Sequence, residues 1–361
     1  MARPLPPSRQ AATEVLAAKR WRPAAVAPRS AERRRVLCLH GRLDNAASFD
    51  GLGPQLAAAG FDVVALDFPG HGRSPWRADG MYTLATNAAA VVHTLDALGW
   101  ASCILIAHSL GTAAAAVAIG AVPERFTRAI FIEGLGGFGY TYAADFGKRL
   151  RQKPSEADGA EAADADESRV TAEPASMREA FRSAFVGIGK VGGKEAKVYD
   201  SVAAAVAARS VGIFSMSAAA CEALVRRGGV EDDDGKFRFT HDTRSNVSYM
   251  LQVLTSAQGL HLLEYVPPSL VLCAGRSTGD TARGESVREF LAPLGSETKA
   301  RLGVCVVEET GHHMHADEPQ KVSALILGWL QTGRPPLPTL RLCAESTAAA
   351  ATATAAEASR L

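Results

Sequence analysis

The stretch Ile104-Leu105-Ile106-Ala107-His108-Ser109-Leu110-Gly111-Thr112, followed by the alanine run Ala113 to Ala116, constrains the fold more than any other part of the chain. Residues Ala101 to Ala107 form a short, mostly apolar run that reads as a buried parallel strand, and the Ala-rich stretch after Ser109 reads as a helix. Between them the chain must turn within a few residues. A strand-to-helix turn of the small-x-Ser-x-Gly type lifts the serine hydroxyl to the top of a sheet, and small residues flank it because the two backbones nearly touch. Ala107 stands where the commoner pattern has glycine and adds one methyl at that crossing; Gly111 is in place.

The segments around this turn repeat its rhythm. Glu14 to Trp21 is expected as a first edge strand, Val36 to Leu39 as a strand ending in His40-Gly41, and Leu52 to Ala59 as a helix. Phe61 to Leu66 is a second such strand, running into Asp67-Phe68-Pro69-Gly70-His71-Gly72-Arg73-Ser74. Thr83 to Leu98 has helical apolar spacing with Thr83 as its N-cap, and Ala129 to Ile132 is a strand ending at Glu133-Gly134. Strands alternating with helical patterns indicate βαβ units and a parallel sheet, whose chemistry gathers outside the carboxyl ends of the strands. His40, Asp67, Ser109 and Glu133 all fall at such ends.

From about residue 140 to 265 the rhythm changes. Lys153 to Asp166 is an Ala/Asp/Glu tract without a hydrophobic face, expected as a solvated insert. Around it Met177 to Phe185, Val198 to Ala208 and Ala218 to Arg226 read as helices. Strands then resume at Ser269 to Ala274 and Val304 to Val307, with a helix over Glu285 to Leu291 between them and a last one from Pro319 to Leu330. The domain reading is therefore a sheet core over 13–139 and 266–331, with a helical cap over 140–265 inserted before the penultimate strand. Residues 1–12 and 332–361 are expected as disordered ends.

The chain of 361 residues has a hydrophobic share of 47% and a formal net charge of +1. That balance gives no electrostatic argument for nucleic acid, and no run is long and apolar enough to span a membrane. Of the six cysteines, Cys38, Cys103, Cys273 and Cys305 sit in apolar strand runs and Cys221 and Cys343 do not; no C-x-x-C pair occurs. Free core thiols in a reducing compartment are the expectation.

A serine hydroxyl needs a base beside it, usually a histidine oriented by a carboxylate. In enzymes with this kind of turn the histidine follows the last strand, where the sequence reads Glu309-Thr310-Gly311-His312-His313-Met314-His315-Ala316-Asp317-Glu318-Pro319. His312 is taken as the base, His313 as the alternative, and Gly311 as the residue that lets the backbone turn. Because no second group of Cys, His or Asp at ligand spacing accompanies this run, neither a metal nor any other cofactor is expected. Two backbone N–H groups would hold an oxyanion: Leu110, after the serine, and Arg42, in the loop His40-Gly41-Arg42. Gly41 allows close approach there, and His40, His108 and Gly111 support the turns.

The motifs Leu39-His40-Gly41, Asp67 to Ser74, His108-Ser109-Leu110-Gly111 and Gly311-His312 through Glu318-Pro319 together resemble the α/β-hydrolase fold family, over about residues 14–331. More narrowly, His40 to Asp50, Phe131 to Gly136, Phe239 to Arg244 and the Gly-His-His-x-His run are similar to the serine hydrolase-like proteins. The resemblance implies a mostly parallel central sheet flanked by helices, and architectural roles for Asp67 and His71. It also exposes a departure. The family's usual acid position, after Ser269 to Ala274, holds Ser277 or Thr278, with Asp280 just beyond. Some members place the acid at the end of the strand after the nucleophile, where this chain has Glu133. Glu133 is preferred, with Asp280 as the alternative.

A serine turn with an oxyanion hole suits transfer of an acyl group from a small ester or thioester to water, without a cofactor. The alternatives are carbon–carbon bond hydrolysis on the same framework and a non-catalytic ligand-binding protein. Ser359-Arg360-Leu361 resembles the S-K-L address read by the peroxisomal import receptor, so a peroxisomal location is expected; the basic N-terminus keeps cytoplasm or another organelle as the alternative.

Overall fold

The computed structural model describes residues 15–24, 34–135, 197–211, 215–245, 256–276, 287 and 289–334. The acidic insert, Met177 to Phe185, three residues (Glu285, Ser286 and Arg288) of the helix expected over Glu285 to Leu291, Asp280 and the Ser359-Arg360-Leu361 end lie outside the described residues.

Seven strands form the central sheet: β1 (Ala18–Trp21), β2 (Arg35–Leu39), β3 (Asp62–Leu66), β4 (Cys103–His108), β5 (Phe126–Ile132), β9 (Ser269–Ala274) and β10 (Leu302–Val307). Their order is β1-β3-β2-β4-β5-β9-β10. All neighbours pair in parallel except β1, the antiparallel edge strand beside β3. The chain steps one way from β2 to β3 and then back across to β4. The switch in direction therefore lies between β2 and β4, and a crevice opens at their carboxyl ends. The loop after β2 and the turn at Ser109 border it.

The strands read as unbroken apolar runs because both faces of the sheet are covered. Alternate residues go to opposite sides. Leu37, Leu39, Leu105 and Ala107 join one core, with Ala88 and Val91 of α2 (Leu84–Ala97) and Ala114 and Ala118 of α3 (Leu110–Ala121). Val36, Cys38, Ile104 and Ile106 join the other, with Leu52 and Leu56 of α1 (Leu52–Ala58) and the C-terminal helix Pro319–Thr332. The expected N-cap of α2 is present. Thr83 Oγ1 accepts from the Thr86 amide, and Thr86 Oγ1 accepts in return from the Thr83 amide. The five described cysteines are buried free thiols, and burial pushes the Cys38 thiol up.

Residues 197–245 depart from the all-helical expectation. The helices α4 (Val202–Ser210) and α5 (Ala218–Gly228) are there, but Val198–Tyr199 is strand β6, and it joins β7 (Gly229–Glu231) and β8 (Phe237–Phe239) in a small antiparallel sheet of order β6-β8-β7. Two local causes explain the difference. Ser201 caps α4 by accepting from the Ala204 amide, so the helix starts only after it. Asp232 to Gly235, with Gly235 at a left-handed φ of 77°, turns β7 back onto β8. Phe237 packs with Ala205, Cys221 and Leu224 in a small separate core.

This segment is fastened to the sheet's carboxyl edge by buried charge. Arg209 of α4 reaches Asp44 at 2.6 Å, and Arg227 of α5 reaches Asp67 at 2.7 Å. Asn45 Nδ2 also donates to the Leu224 carbonyl.

Candidate active site

Ser109 is the N-cap of α3, with φ 49° and ψ −119°. A non-glycine residue held at positive φ is strained, and here the strain has a visible cause. The Ser109 amide is still in the sheet, donating to the Ile132 carbonyl, while its own carbonyl already accepts the Thr112 amide of the helix. Strand becomes helix across one residue. Gly111 shows how tight the crossing is: a Cβ there would lie 2.8 Å from the carbonyl oxygens of both Leu39 and His40. Leu110 opens α3, so its N–H has no acceptor within the helix. Arg42 lies in the loop after β2.

Glu133 also has a positive φ, 54°. It follows β5, where its amide donates to the Leu272 carbonyl of β9. The carboxylate is buried and has both oxygens engaged. Oε1 accepts from the Ala274 amide at 2.6 Å, and Oε2 lies 3.0 Å from His312 Nδ1. Since a carboxylate only accepts, Nδ1 carries the proton of a neutral His312 and Nε2 keeps a lone pair. Burial lowers the His312 pKa to about 4, with Glu133 opposing, so the ring is neutral at pH 7. The two carboxylates proposed as the acid thus differ in what is described: Glu133 is bonded to His312, and Asp280 lies outside the described residues.

The two histidine candidates separate cleanly. His312 faces Glu133, whereas His313 turns into the protein and brings Nε2 to 3.3 Å from Asp44 Oδ2. The turn itself does not depend on Gly311: its φ is not left-handed, and a Cβ there would meet nothing within 4 Å. The loop is held instead by the Thr310 hydroxyl, which donates to the Val307 carbonyl, and by His108 Nε2, which donates to the His312 carbonyl at 3.0 Å.

His40 joins two strand ends. Its Nδ1 donates to the Gly41 carbonyl and its Nε2 accepts the Phe68 amide, tying the ends of β2 and β3 together. Asp67 accepts the Ala46 and Arg73 amides and pairs with Arg227, and His71 bonds the Pro69 carbonyl. Burial pushes the His71 pKa down to about 3.

Asp44 was not singled out by the sequence reading, yet it touches every part of the site. It lies in the loop after β2, and it meets His108 beside the serine, His313 beside the base, and Arg209 of α4. Burial pushes its carboxyl up, but His313, His108 and Arg209 outweigh that and hold it well below the usual carboxylate range. One donor atom each from Asp44, His108 and His313 falls within 4.8 Å of the others. The three residues are too far apart in sequence to show a ligand spacing, and only the fold brings them together. Nothing but the resemblance to a known motif marked Asp44 in advance.

Comparison with known proteins agrees with this architecture. A family model described as the α/β-hydrolase fold matches residues 34–169. The chain is 26% identical to the serine hydrolase-like protein of Danio rerio over 309 residues, covering 84% of this chain and 83% of that protein. It is 32% identical to an esterase of Mycobacterium tuberculosis over 108 residues, covering 30% of this chain and 33% of that protein. Among solved structures, a hypothetical protein of Pseudomonas aeruginosa aligns with TM-score 0.66 at 29% identity, covering 88% of this chain and 95% of that one. With its strand order, strained serine turn and late histidine loop, the chain has the α/β-hydrolase fold and is similar to the serine hydrolase-like proteins.

Proposed function

We propose that the chain is a serine hydrolase that moves the acyl group of an ester or thioester to water through an acyl-enzyme on Ser109. The observation that carries this reading is the buried Glu133–His312 pair, which fixes the tautomer of a neutral histidine on the loop bonded to the residue beside Ser109. His312 Nε2 takes the Ser109 proton as Oγ bonds to the substrate carbonyl carbon. The oxyanion forms against the Leu110 and Arg42 N–H groups. The C–O or C–S bond then breaks, and the leaving group departs with the proton from His312. A water molecule, deprotonated by the same Nε2, attacks the acyl-serine; the C–Oγ bond breaks, His312 returns the proton to Ser109 Oγ, and the acid leaves. Glu133 stabilises the imidazolium at both steps. Residues 140–265 serve as a cap over the substrate, consistent with the Arg209–Asp44 and Arg227–Asp67 ties.

The test is fluorophosphonate labelling read by intact mass, beside Ser109→Ala. One adduct on the wild type and none on the variant is the expected result. A folded wild type that takes no adduct sinks the mechanism and leaves the ligand-binding alternative.

A further inference from the structure

The histidine-rich wall beneath the site has an electrostatic mismatch. His108 Nε2 donates to the His312 carbonyl, so a neutral His108 turns the lone pair of Nδ1 the other way, toward Asp44 Oδ2 at 3.5 Å. Both residues are buried, and neither of these two atoms has a hydrogen-bond partner among the described residues. A bare ring nitrogen and a carboxylate oxygen thus face each other in a dry place. A cation between them resolves the conflict.

Two of the three ligand-atom spacings match one, and the third is within 4.8 Å. A tetrahedral zinc-class ion with bonds of about 2.0–2.1 Å sets its ligand atoms about 3.3–3.4 Å apart. His313 Nε2 and His108 Nδ1 lie 3.3 Å and 3.5 Å from Asp44 Oδ2. Asp44 keeps Oδ1 for Arg209, which leaves Oδ2 for the ion. Gly41 preserves the space: a Cβ there would stand 2.8 Å from His108 Nδ1 and 3.1 Å from Asp44 Oδ2.

We propose that Asp44 Oδ2, His108 Nδ1 and His313 Nε2 form a site for a divalent transition-metal ion of the zinc class, which fastens the His312 loop to the serine turn. The donor set, two imidazoles and a carboxylate, suits zinc or cobalt and is a poor match for calcium or magnesium.

Cobalt titration of the metal-free full chain tests the site directly, because tetrahedral Co2+ absorbs strongly in the visible and hydrated Co2+ only faintly. The expected result is one equivalent of Co2+ with tetrahedral bands, displaced by Zn2+, and a melting temperature that rises with free Zn2+. His313→Gln and Gly41→Ala should each lose the bands, the second with all three ligands still in place. His312→Ala should keep them. Circular dichroism shows which variants are folded. Absence of tetrahedral bands in the folded wild type, or their survival in both His313→Gln and Gly41→Ala, overturns the site; their loss in His312→Ala moves it to the triad. A wild type that binds cobalt but takes no fluorophosphonate when metal-free rejects the serine-hydrolase reading and leaves the site standing.

Discussion

Two acid–histidine groupings sit a few ångströms apart in this protein, and they are built oppositely. At Glu133–His312 each carboxylate oxygen has a donor, the histidine tautomer is fixed, and the His312 side chain keeps 11% of its surface exposed. At Asp44–His108–His313 the side chains are at most 3% exposed, and Asp44 Oδ2 and His108 Nδ1 lack hydrogen-bond partners among the described residues. The same residue types thus give a satisfied pair that can pass a proton and a mismatched cluster with room for a cation. Chemistry follows which lone pair is left over and whether a reactant can reach it.

The sharpest way to break this comparison is to change one acid in each grouping. Glu133→Gln should lower the fluorophosphonate labelling rate by roughly 10³–10⁴-fold, because it destroys the tautomer lock and the charge that meets the imidazolium. A fall of less than about tenfold would remove Glu133 from the mechanism. Asp44→Ala should act mainly on stability, costing about 3–5 kcal/mol in urea unfolding, since it strands Arg209 and opens a buried hole. Unchanged stability would show that the Asp44–Arg209 pair does not hold the 197–245 segment to the sheet.

Acid should separate the groupings further. His40, His108 and His315 have pKa values lowered by burial, His71 to about 3 and His312 to about 4, all against an ordinary value near 6.5. Between roughly pH 6.5 and 4 the unfolded chain therefore binds more protons than the folded one, and unfolding free energy must drop as pH falls. His312 stays neutral over most of that window. Labelling of the folded protein should persist to about pH 5 and decline as pH falls through 4, after stability has begun to go. Coincident curves in a pH series of melting temperature and labelling rate would contradict this separation. The smallest effect expected is that of Thr83→Ala, remote from both groupings, at about 1 kcal/mol from the lost capping box. Its labelling rate should match the wild type; a change would mean that general loosening of the fold is enough to disturb Ser109.

How much was legible in advance follows from how far each signal reaches along the chain. Strand runs, the α2 cap and the serine turn depend on neighbours within a few residues, and they appear where expected. The strand β6 and the β7–β8 hairpin were missed because two- and three-residue strands have almost no periodicity to read; the Asp232 to Gly235 turn was the available clue.

Sequence alone determined the layered α/β architecture, the place of Ser109 at a strained turn, and the presence of a late histidine loop, because each is written in local pattern. Tertiary structure decided that His312 meets Glu133 while His313 turns to Asp44, and that Asp44, His108 and His313 share one buried point. Those pairings join residues up to 269 positions apart (313 − 44) across the ends of different strands. They follow from the order in which β2, β4, β5, β9 and β10 lie side by side, which no local pattern encodes.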